Sequence, residues 1–222
     1  MIEQPARKAA FPFGFWVAVI TALVAAISFA IAVQTPPASG PFCQSGCVTY
    51  PYADVAAFVP RDYLWMYPAT LMVCLFLVLM SCIHSYVAEH RKHYSQIGLC
   101  FAVFSAAVLA IDYYIQLAMV QPSLLKGELE GLALISQYNP HGIFIALEEL
   151  GYLAMSLAYL FMGLALRGAT KLARSIAWLL IVSAVLALGA YVAMSLLYGK
   201  ELEYRFEVAV ITINWLVLVV GG

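Results

Sequence analysis

Residues 142–166 read GIFIALEELGYLAMSLAYLFMGLAL, an apolar run whose only charges are Glu148 and Glu149. A helix crosses the hydrocarbon of a bilayer with about 20 mainly apolar residues, and a strand is rarely half that long. The stretch therefore reads as a membrane-crossing helix. Within it Glu148, Tyr152, Met155, Tyr159 and Met162 recur at intervals of four and three. That spacing puts them on one stripe of the helix. An acidic, tyrosine-bearing stripe on an apolar helix belongs inside a bundle, because lipid cannot satisfy its donors and acceptors.

Five further stretches match it: Phe13–Val33, Leu64–Tyr86, Ile97–Val120, Leu172–Leu197 and Phe206–Val220. Across the 222 residues 64% are apolar and 10% are charged, and the mean hydropathy is +0.92. A water-soluble domain carries about 25% charge, so a soluble enzyme and a disordered chain are excluded. A net charge of −1 offers no footprint for nucleic acid. The expected fold is all-α: a polytopic membrane protein, one domain over 1–222, a bundle of six transmembrane helices in contact with the lipid bilayer. Its outer loops are expected at 34–63 and 121–141. The apolar run after Arg7 and Lys8 exceeds the ~7–15 residues of a signal-peptide core and is read as an uncleaved first span.

Orientation follows the basic residues near span ends. Arg7, Lys8, Arg91, Lys92, Arg167, Lys171 and Arg174 fall on one side, against Arg61, Lys126, Lys200 and Arg205 on the other. Both termini are expected to be cytoplasmic, with the protein in the cell membrane, a bacterial inner membrane. Cys43 and Cys47, in the first outer loop, are expected to form a disulfide on the oxidising side. Cys74, Cys82 and Cys100 are read as small packing residues. The end at Val220-Gly221-Gly222, without a basic anchor, suggests truncation.

The outer loops carry their own expectations. Ala53–Val59 reads as a short interfacial helix. Tyr50, Tyr52, Tyr63, Trp65 and Tyr67 read as an aromatic belt. Ser123–Ser136 reads as one amphipathic helix with Leu125, Leu129 and Leu132 on its apolar face. Asn139 followed by Pro140 predicts the N-cap and first residue of the fourth span.

Candidate site residues are those that are costly inside a bilayer, at least ~2.5 kcal/mol for an ionised group. Span three carries Asp112 with Gln116 one turn on, and Ala102, Ser105, Leu109 and Met119 complete its stripe. Span four carries Glu148 and Glu149. At ~1.5 Å per residue these acids fall in the same outer half of the bilayer. Span two offers a further stripe, Tyr67, Thr70, Cys74, Leu77, Ser81 and His84. The expected ligand site is Asp112, Gln116, Glu148, Glu149, Tyr113 and Tyr152, with Tyr114 and Tyr191 nearby and His141 within reach of Glu148 from the outer end. Glu207, two residues from Arg205 and close to the interface, is read as structural. Polar stripes also serve plain helix packing, which is the competing reading of each.

Carboxylates beside tyrosine rings suit a cation. The first expectation is an outward-facing pocket that binds or transports a cationic or amphiphilic small molecule. Proton linkage is expected with it, because a carboxyl withdrawn from water ionises less readily. A membrane-embedded enzyme dividing acid and base roles between carboxylates, acting on a lipid-like substrate, is the second. An accessory or assembly subunit, partnered by another membrane protein or by its own copies, is the third. Gly-x-Ser-x-Gly, His-Glu-x-x-His and phosphate-binding glycine loops are all missing from the sequence, and no metal or cofactor is called for.

Overall fold

Long apolar runs without internal breakers fold as helices because every backbone group then bonds within its own segment. The computed structural model describes residues 4–167 and 170–221, with side chains from Pro12 onward. The side chains of Arg7 and Lys8, and the terminus at Gly222, lie outside the described residues. Six helices are long and apolar enough to cross a membrane. They are α1 (Gln4–Gln34), α2 (Met66–Tyr86), α3 (Lys92–Ile115), α6 (Ile143–Leu166), α7 (Lys171–Tyr198) and α8 (Glu203–Gly221). The short helices α4 (Gln121–Lys126) and α5 (Leu132–Ile135) lie between α3 and α6.

The helices pack as a closed ring in the order α1, α2, α3, α6, α7, α8 and back to α1, with α6 also touching α8. Small residues set the closest crossings. A Cβ on Gly98 of α3 would stand 3.1 Å from the Ala158 carbonyl oxygen of α6. One on Gly163 of α6 would stand 2.8 Å from the Ala177 carbonyl oxygen of α7. Elsewhere on the α3–α6 seam the Ser105 hydroxyl of α3 donates to the Gly151 carbonyl of α6 at 2.8 Å.

The stripe on α6 is buried throughout, from Glu148 to Met162. The α3 stripe is buried from Ala102 to Gln116, but Met119 is exposed. The cause is a π-type segment over Gln116–Val120, whose wider turn takes Met119 out of phase. The stripe expected on α2 is turned the other way. Tyr67, Cys74 and Ser81 lie on the outside, while Met66, Ala69, Met72, Val73 and Phe76 fill the interior. Thr70 shows why a hydroxyl needs no interior position: it donates to the Met66 carbonyl of its own helix at 2.7 Å. Cys74 and Cys100 are likewise exposed and do not pack the core.

The loops differ from expectation in specific ways. Ala53–Phe58 is a 3-10 helix, close to the short helix predicted. Tyr63 and Trp65 are core residues and not a surface belt. The helix expected over Ser123–Ser136 is broken, because Gly127 and Gly131 both take positive φ, and Leu125 and Leu129 are exposed. Asn139 does not cap α6. It closes a turn, accepting from the His141 amide at 3.0 Å, and α6 begins three residues later with Gly142 as its cap. Cys43 and Cys47 are joined, with Sγ atoms 2.07 Å apart.

Candidate functional site

The loops between α1 and α2, between α3 and α6, and between α7 and α8 meet at one end of the bundle. Asp62 ties two of them: it accepts from Arg61 Nε at 2.6 Å and from the Tyr138 hydroxyl at 2.9 Å. Burial, with Tyr63 and Asp62 as neighbours, holds the Tyr138 phenol well above its ordinary range, so it stays a donor. The Tyr204 hydroxyl of α8 donates to the Gln137 carbonyl at 2.9 Å and lies 2.8 Å from Ser39 Oγ.

Beneath these loops lies a cavity of about 270 Å³. Its walls are largely aromatic: Phe29 from α1, Trp65 at the head of α2, Phe144 from α6, Tyr138, and Tyr204 and Trp215 from α8. Its rim includes Val33 and Val208, both exposed on the flank of the bundle between α1 and α8. Two acids reach it, Asp62 and Glu207. Asp62 is fully answered by Arg61 and Tyr138. Glu207 is buried, at 9% exposure, and no Lys, Arg or His pairs with it among the described residues.

The neighbour of Glu207 is Glu148. The two carboxyls, one from α8 and one from α6, are close neighbours. Glu148 is fully buried; its Oε1 accepts from the Tyr113 hydroxyl at 2.8 Å, and its Oε2 receives no hydrogen bond from any donor. The Tyr113 and Tyr152 hydroxyls are 2.7 Å apart, and Trp215 Nε1 donates to the Tyr152 oxygen at 2.7 Å. Asp112, 2% exposed with Oδ2 unpartnered, lies within electrostatic range of Glu148 and Glu207. Glu149 is half-buried and in range of the same two.

The structure thus brings together Asp112, Glu148, Glu149, Tyr113 and Tyr152, all behind the cavity wall and none lining it. Gln116 serves elsewhere, its Nε2 donating to the Ile135 carbonyl at 2.5 Å and so fastening the π-type turn after α3 to α5. His141 does not reach Glu148. Its exposed ring sits 3.8 Å from a Glu203 oxygen, because the turn at Asn139–Gly142 points it away from the helix. Tyr114 and Tyr191 are exposed on the outside.

Of the wall residues, Glu207 was expected to be structural, and Phe29, Asp62, Tyr138, Phe144, Tyr204 and Trp215 had no expected place in the site. Arg205 is not a partner for Glu207: it bonds Glu203 at 3.1 Å and covers the Tyr198 ring at 4.5 Å. Two residues on a helix are about 200° apart, so neighbours at that spacing occupy opposite faces. That spacing was the available signal. No cluster of three or more metal-ligating side chains occurs among the described residues. No family model, curated protein or solved structure matches the chain.

Proposed function

We propose that this is a multi-pass membrane protein with both termini cytoplasmic, whose loop end faces outward and whose cavity binds a small cationic amphiphile for carriage or sensing. The observation that carries the reading is Glu207, a buried carboxyl on the wall of an aromatic cavity with no cationic partner among the described residues. A buried acid without a counter-charge is costly, and a ligand cation supplies one. Trp, Tyr and Phe faces attract the same cation through their quadrupoles. The apolar rim at Val33 and Val208 suits entry of an alkyl chain from the hydrocarbon side. The acid that meets the ligand is Glu207, while Glu148, Asp112 and Tyr113 stand behind it.

The test is a titration of the purified chain in detergent, following Trp fluorescence, with decyltrimethylammonium, decanol and decyl sulfate. The ammonium should bind best, and Glu207→Gln should weaken it about tenfold or more, the loss of one buried charge contact. Equal binding of all three, with no effect of Glu207→Gln, overturns the reading.

Contact between Glu148 and Glu207 favours a second reading, a membrane-embedded enzyme acting on a lipid-like substrate, since paired carboxyls can divide acid and base work. It differs in outcome: the bound amphiphile is recovered chemically altered.

A further inference from the structure

We infer that the head group admitted to the cavity is a quaternary ammonium and not a protonated amine, and that Tyr152, behind the wall, holds Trp215 in place as the surface that recognises it. The inference rests on the ligand reading above and names the class of cation.

The deep wall presents rings and not hydrogen-bonding groups. Trp215 lies at its centre, with the Phe29 and Trp65 ring centroids each 6.1 Å from its own, and all three residues line the cavity. The Trp215 N–H is turned away from that space. It donates to the Tyr152 oxygen at 2.7 Å, and Tyr152 is fully buried and lines no part of the cavity. What the cavity meets of Trp215 is therefore ring carbon. Tyr152 is held in its turn, with its hydroxyl 2.7 Å from that of Tyr113. Tyr113 has a single hydrogen and gives it to Glu148, so the Tyr152 hydrogen goes to Tyr113 and its oxygen stays an acceptor for the indole.

The polar groups of the roof answer one another. Tyr138 gives its hydrogen to Asp62, Tyr204 gives its hydrogen to the Gln137 carbonyl, and Ser39 Oγ lies against the Tyr204 oxygen. Arg61 balances the charge of Asp62, which leaves Glu207 as the wall acid without a cationic partner among the described residues. A primary ammonium brings three N–H donors and a tightly held hydration shell. Leaving water for one carboxyl and a sheet of ring carbon strands some of those donors, at a cost. A trimethylammonium has no N–H to satisfy. Its methyl groups make dispersion contacts with the rings, whose quadrupoles attract its charge. Charge is common to the two head groups, and the aromatic wall tells them apart. The cavity, about 270 Å³, lies at the lower edge of the ~300–1,000 Å³ of ligand pockets. It takes a head group and the first methylenes, and the rest of the chain leaves past Val33 and Val208.

The experiment is isothermal titration calorimetry of the full chain in a neutral detergent, with decyltrimethylammonium against decylammonium, each corrected for its partition into empty micelles. Wild type should prefer the trimethylated head by about tenfold or more, the worth of a desolvated cation–π contact. Glu207→Gln should weaken both cations and leave the preference no smaller, since it removes the charge contact they share. Trp215→Leu should cut the preference to about threefold or less. Tyr152→Phe keeps its ring and deletes only the anchor of the indole N–H, and it should narrow the preference in the same direction. If Trp215→Leu does not fold, the wild-type ratio and Tyr152→Phe decide. Equal affinity for the two cations, or a preference for decylammonium, overturns the inference and leaves the ligand reading standing. Loss of affinity for both cations alike in Tyr152→Phe makes that residue merely structural and overturns its positioning role. Failure of wild type to bind either cation sinks the ligand reading itself, and the inference with it.

Discussion

Tyr113 joins ring packing to hydrogen bonding beside the acids. Its ring packs edge-on against Trp65 with centroids 5.4 Å apart, and its hydroxyl links Glu148 to Tyr152. Tyr113→Phe keeps the ring and removes only the oxygen, leaving Glu148 Oε1 and the Tyr152 hydroxyl without their partner. Denaturant unfolding in detergent should show a loss of about 1–3 kcal/mol, the cost of orphaning buried polar groups. An unchanged midpoint would mean that water enters and replaces the hydroxyl. Gly40 makes a contrasting case at the cavity roof. It takes φ +67, and a Cβ there would collide with the Tyr204 ring. Gly40→Ala meets both backbone strain, about 1–2 kcal/mol, and that ring. It should lower the melting temperature and loosen the Tyr204 bond to Gln137. At this scale the sequence was legible for residues whose cost is visible in one helix, such as Asp112 and Glu148. It was misleading for the association of Glu207 with Arg205 and for the reach of His141, which depend on faces and turns. Trp215 read as apolar bulk because a single indole in an apolar run carries no sign of what its N–H will meet.

Helices α3, α6 and α7 are held by close backbone approach, so their glycines divide by surroundings. Gly163 faces the Ala177 carbonyl, which cannot move without shifting α7, whereas Gly189 on α7 has open space around it. Gly163→Ala should therefore lower stability by about 1–3 kcal/mol, the usual range for overpacking. Gly189→Ala should raise it by roughly 0.5–1 kcal/mol through helix propensity alone. Thermal melts of the two variants side by side decide this, and equal shifts would contradict the packing described. Elements were the most legible level of this chain, since a 20-residue apolar run has few alternatives to a helix. What was not legible was phase and interruption. The π-type turn at Gln116–Val120 leaves no mark in composition, and it carries the chain on into α4. The break at Gly127 and Gly131 was marked by the glycines themselves, but the apolar spacing of Leu125, Leu129 and Leu132 suggested continuity. On α2 polarity pointed to the wrong face, because hydroxyls bond their own helix while Met and Phe fill space that no small residue can.

Across the whole molecule, the acids within the spans stand apart from the larger group of bases. Asp112, Glu148, Glu149 and Glu207 gather in the half of the bundle beneath the knitted loops, and Arg91, Lys92, Arg167, Lys171 and Arg174 lie at the other end. On the proposed orientation, with the basic residues near span ends kept on the cytoplasmic side, the loop end, the Cys43–Cys47 bridge and the cavity face outward. Two single-cysteine variants test it, in a background where Cys74, Cys82 and Cys100 are replaced by Ser. Glu128→Cys sits in the exposed loop between α4 and α5, and His90→Cys sits in the short turn between α2 and α3. A membrane-impermeant maleimide applied to intact cells should label position 128 and spare position 90 until the membrane is opened. Labelling at position 90 alone inverts the molecule. The cavity would then draw its cation from the cytoplasm, and the disulfide would face a reducing compartment in which it should not persist.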